Sequence, residues 1–194
     1  VLDEAVAKAG ARPAAWLFYS GPEPAGARGL GWECRPASDS FGAALDFSHK
    51  MLEDAEAAWR AMRVARLEFE SLFDESVHGE RLARFSWHAA KAEELLALPP
   101  VIVLESAGSV AETSLTAFSS LLRSGCPVQV LVRCFGIATD LPDLGFLAMA
   151  HREAQVVSTS VARLNHLTDG LRTMAGSPRP GAAFIAIPAE GEGG

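Results

Sequence analysis

VIVLESAGSVAETSLTAFSSLLRSGCPVQVLVR, residues 101–133, changes its hydrophobic grammar twice, and the fold follows from those two changes. VIVLES (residues 101–106) is a nearly continuous apolar run, as in a strand buried on both faces. SLTAFSSLLRSG (residues 114–125) spaces its apolar side chains for a helix and stops at glycine. VQVLVR (residues 128–133) returns to the buried-strand pattern. Strand, helix, strand within 33 residues predicts a parallel pair joined by a right-handed crossover.

The same alternation continues downstream. DLGFLAMAHR (143–152) predicts a helix capped by Asp143, AQVVSTS (154–160) a strand, RLNHLTDGLRTMA (163–175) a helix, and AAFIAIP (182–188) a fourth strand. GEGG (191–194) reads as a tail. Upstream, AAWLFYS (14–20) predicts one short buried strand, and the Gly-, Pro- and Ser-rich residues 21–40 predict a loop. GARGLGW in that loop lacks the Gly-Lys-Ser/Thr ending a phosphate loop needs. Met51, Ala55, Ala58, Trp59, Met62, Ala65 and Phe69 recur at three- and four-residue steps, which predicts a helix over residues 41–75. A shorter helix is expected over 87–98, stopped by Pro99 and Pro100. The expected fold is α/β, a parallel sheet with crossover helices. It divides into a mostly helical segment with one strand (1–100), the α/β unit (101–190) and the tail.

Composition narrows the function. The net charge is −7, with no lysine or arginine cluster, against a nucleic-acid partner. No apolar run approaches the roughly 20 residues that cross a bilayer. VLDEAVAKAG lacks a secretory layout, and a chain opening on Val reads as processed or as a piece of something longer. Cys34, Cys126 and Cys134 form no CxxC pair and the five histidines are scattered, so no zinc or iron–sulfur motif is expected. Reduced thiols in the cytoplasm are the expectation.

In open α/β sheets ligands bind beyond the carboxyl ends of the strands. Four loops qualify: residues 105–109, 134–140, the surroundings of Ser158–Ser160, and the segment after Ile187. Residues 101–132 and 143–189 resemble the thiamine-diphosphate domain of pyruvate:ferredoxin oxidoreductases and related 2-oxoacid oxidoreductases. LLRSGCPVQVLV carries part of the likeness, and the order DLG–helix–strand–helix–Pro-Gly–strand carries the rest. In an intact relative the resemblance implies thiamine diphosphate with Mg²⁺, decarboxylation of a 2-oxoacid, and electron transfer to iron–sulfur centres. By position it places Ser106, Gly108, Glu112 and Cys134 at or near the cofactor loops.

The departures from the family fall on its ligands. Ala107 stands where the family has the metal-binding Asp of Gly-Asp-Gly. A methyl cannot coordinate a cation that wants oxygen. The loop after the second strand is shortened to Arg133-Cys134-Phe135-Gly136 before Asp140 and Asp143, and no cysteine follows Pro188. The expectation is a domain of a 2-oxoacid:ferredoxin oxidoreductase-like protein, in a homo- or hetero-oligomer with oxidoreductase partner subunits, and not catalytic by itself. The alternative is an interaction or scaffold module that docks a partner subunit through the helix over 41–75. Cys134 is the best-placed nucleophile, but no histidine is near it in sequence. His88, His151, His166 and Cys126 read as packing or hydrogen-bonding residues.

Overall fold

The computed structural model describes residues 13–136 and 143–188. Six parallel strands form one sheet: β1 (Ala15–Tyr19), β2 (Trp32–Pro36), β3 (Val101–Ser106), β4 (Val128–Phe135), β5 (Gln155–Ser160) and β6 (Gly181–Ile187). Their order is β2-β1-β3-β4-β6-β5. The two central strands pair in register, Val101 with Val128 through Ser106 with Arg133.

Handedness decides which face each connection covers. Right-handed crossovers that step one way along the sheet lie on one face, and those that step back lie on the other. The steps β2→β3, β3→β4 and β4→β5 run one way. They carry α1 (Ser40–Phe69), α2 (Glu80–Ala83), α3 (Ala92–Leu96), α4 (Leu115–Arg123) and α5 (Leu144–Met149). This side holds the main core, where Phe18, Val101, Val103, Val128, Val130, Val132 and Phe184 pack with Phe41 and Leu52 of α1 and with Phe118 and Leu121 of α4. The two backward steps, β1→β2 and β5→β6, carry the loop over residues 20–31 and α6 (Leu164–Ala175). The second face therefore has a small cluster of Leu17, Tyr19 and Ala27 at one end and α6 at the other.

Local chemistry sets the boundaries. Asp39 caps α1 by accepting from the Gly42 N–H at 2.9 Å, and Asp143 caps α5 by accepting from Phe146 N–H at 3.0 Å. After α4 the chain turns through Gly125 at φ 76°, a left-handed conformation that suits glycine, and enters β4. α1 ends at Phe69 rather than near residue 75, because Ser71 turns left-handed at φ 56°. The helix expected over 87–98 is broken in two. Trp87–Ala89 is a 3-10 turn, Ala90 is extended, and α3 starts afresh where the Lys91 N–H donates to Glu94 at 2.8 Å. Arg63 of α1 donates to the same Glu94 at 2.7 Å, which ties α1 to α3 and holds this carboxyl below its usual range.

Two expectations need revision. The division at residue 100 does not separate two bodies of structure, because β1 pairs with β3 and β2 adds to β1 in the same sheet. β2 also lies inside the stretch expected to be all loop. It is an edge strand of sequence WECRP, only partly buried, so it carries little of the apolar pattern that marks a strand. The tail at 191–194 lies outside the described residues, as do residues 137–140 of the expected second site loop. Among the described residues no helix is long and apolar enough to cross a membrane.

Candidate cleft at the carboxyl ends of the strands

A cleft of about 920 Å³ opens at the carboxyl ends of β3 and β4, between them and α5. Ser106, Ala107 and Gly108 form one wall where β3 hands over to a helical run. That run starts at Ala107–Ser109, passes through a π turn at Val110–Ser114 and continues as α4. Ser106 is the cap of this run, and its Oγ accepts from Ser109 N–H at 3.2 Å. Arg133 and Cys134 enter from β4, Asp143 and Phe146 from the start of α5, and Ser158 from β5.

Of the four residues placed at the cofactor loops by resemblance, the structure brings Ser106, Gly108 and Cys134 to this cleft. Glu112 is exposed on the π turn and does not line it. The Cys134 thiol is pushed up from its ordinary pKa by burial, and it donates a long hydrogen bond to the Val132 carbonyl at 3.8 Å. It is therefore a protonated, weakly nucleophilic thiol at neutral pH. Among the described residues Arg133 supplies the one cationic side chain in the lining, and its Nε is buried without a hydrogen-bond partner. Asp143 is occupied in capping α5. Among the described residues the lining holds no histidine, and no acid–base pair is assembled there. The chemistry on offer is a positive charge, hydroxyls and an apolar wall.

The metal test is direct. Mg²⁺ on a diphosphate takes oxygen ligands from carboxylates or carbonyls. Ala107 presents a methyl at the β3 end of the cleft, and among the described residues no three His, Cys, Asp or Glu side chains converge to hold an ion. These residues do not fit a magnesium–diphosphate site.

Behind the cleft lies a residue whose role was not visible in the sequence. Glu105 is 2 % exposed and points to the α1 side of the sheet. Its carboxylate accepts from the Ser20 N–H at 2.8 Å, the Ser20 hydroxyl at 2.7 Å and the Ser40 hydroxyl at 2.6 Å. Three donors and the adjacent amino end of α1 compensate the buried charge. Glu105 thus locks β1, β3 and α1 together and is unavailable to a ligand. The only sequence signal was a carboxylate inside an apolar run.

Of the three histidines read as packing or hydrogen-bonding residues, two reach neighbouring elements and one stacks on its neighbour in the chain. His151 Nε2 lies 3.0 Å from Ser119 Oγ of α4, His166 Nδ1 lies 3.1 Å from Thr159 Oγ1 of β5, and His88 stacks on Trp87. Cys126 is fully buried. None of these four lines the cleft. No family model matches the chain, and no curated protein matches it.

Proposed function

We propose that this chain is a thiamine-diphosphate-type fold domain of a 2-oxoacid:ferredoxin oxidoreductase-like protein, kept for its architecture and not catalytic by itself. One observation carries this reading. The cleft sits at the carboxyl ends of the strands, where such a domain would hold its cofactor, and its lining includes Ala107, the residue that the resemblance sets against the family's metal ligand. The element order supports it: α4, the Ser124-Gly125 turn and β4, then the Asp143 cap, α5, β5, α6, Pro180-Gly181 and β6. The free cysteines fit a reducing compartment, and we place the protein in the cytoplasm. Calorimetric titration of the purified chain with thiamine diphosphate and Mg²⁺ tests the proposal. The expected result is no heat of binding, and micromolar affinity would overturn it.

A second reading, a module that docks a partner subunit through α1, is favoured by one feature of that helix. Its far end leaves Met62, Phe69, Leu72 and Val77 exposed on and just beyond it.

A further inference from the structure

Both faces of a parallel sheet are normally covered. Here, among the described residues, the second face receives only two connections, the 20–31 loop over β1 and β2 and α6 over β5 and β6. The strip between them carries Ile102 of β3 and Leu131 of β4, both only half-buried. Towards the amino ends of these strands it deepens into an apolar cavity of about 330 Å³, with Leu98 on one side and Leu171 and Met174 of α6 on the other.

The chain enters β1 from the rim of this cavity. Ala14 lies in its wall and donates its N–H to the Gly31 carbonyl at 2.9 Å, which fixes the backbone there. Residues 1–12, outside the described residues, are separated from Ala14 by Pro13 alone. Their sequence is VLDEAVAKAGAR. At about 100° per residue, Val1, Leu2, Ala5, Val6 and Ala9 fall within an arc of about 140°, while Asp3, Glu4 and Lys8 fall outside it. Acidic residues open the segment, and Gly10 with Pro13 closes it, as at the two ends of a helix. Ten helical residues span about 15 Å and the six residues of β3 about 20 Å, so the segment matches the strip in length as well as in apolar character.

We propose that residues 1–10 pack as an amphipathic helix on the second face, antiparallel to β3, with Leu2 and Val6 over Ile102 and Leu131. The strip is then an intramolecular docking site, and its occupant is the amino-terminal segment of the same chain. Its place follows from where the segment is tethered. Next to Ala14 the 20–31 loop takes one flank of the second face and α6 the other, and the strip between them is the open apolar surface. This surface is separate from the cleft at the carboxyl ends of the strands.

Nuclear Overhauser contacts between methyl groups of the full chain test the proposal. Leu2 and Val6 are expected to show contacts to Ile102 and Leu131. A Leu2→Asp/Val6→Asp variant should lose them and melt about 5 °C lower, because two apolar side chains leave the sheet. Ala7→Gln, on the opposite side of the segment, should keep the contacts and the melting temperature. Absence of the contacts in the native chain, or a melting temperature that the double variant leaves unchanged, would overturn the proposal. So would isotope-filtered spectra of mixed labelled and unlabelled chains that assign the contacts to a second copy.

Discussion

Gly181 shows how a single residue is set by its neighbours. A Cβ there would collide with Gln129 Oε1 and stand 3.0 Å from the Met174 methyl, and all three residues are buried. Gly181→Ala is therefore expected to destabilise the chain by about 1–3 kcal/mol, the usual cost of overpacking a core. Chemical denaturation would measure this as a lower midpoint with an unchanged slope, and an unchanged midpoint would contradict it. The sequence marks Gly181 as a turn residue beside Pro180. It does not show that the absence of a side chain admits Gln129, 52 positions away in the chain. The candidate cleft was readable to the same degree. Ser106, Gly108 and Cys134 could be placed there from strand ends alone, while Glu112 could not be excluded until the helical run oriented it outward.

At the scale of elements, α1 stands out by its length. Its 30 residues span about 45 Å at 1.5 Å per residue. The central strands, of 6 and 8 residues, span only about 20–26 Å at 3.3 Å per residue. The helix therefore outruns the sheet, and beyond it Phe69 stands 91 % exposed. A ring so exposed near Leu72 and Val77 is an apolar surface of the kind that marks contact with another protein. If α1 docks a second copy, light scattering should show concentration-dependent association, and a Phe69→Ser/Leu72→Ser double variant should be monomeric with an unchanged melting temperature. A native chain that is monomeric at all concentrations would remove that form of the docking reading. Periodicity alone predicted α1 well through Phe69, but the end of the helix depended on Ser71, a residue with no strong stop signal. Pro99 and Pro100 were a strong stop signal, yet the segment before them broke at Ala90, where the backbone becomes extended.

For the whole molecule, the continuity of the sheet matters most. β1 hydrogen-bonds to β3, and α1 covers the core face of the central strands. Residues 101–194 alone would expose the β3 edge and one side of Val101 and Val103, leaving an unpaired apolar edge that invites aggregation. That fragment is expected to lack a cooperative thermal transition by circular dichroism. A sharp, reversible melt would show that it folds alone and would restore the division at residue 100.

The sequence by itself determined the parallel α/β class, the positions of β1 and β3–β6, the cap at Asp143 and the glycine turn at Gly125. Each rests on contacts within a few residues, where apolar spacing and backbone preference act directly. Only the tertiary structure decided that β2 joins as an edge strand and that Glu105 binds Ser20 and Ser40 across 85 and 65 residues. It also decided that two backward crossovers leave Ile102 and Leu131 uncovered around Gln129. Those outcomes depend on which distant segments share a volume once the core closes, and no local pattern carries that information.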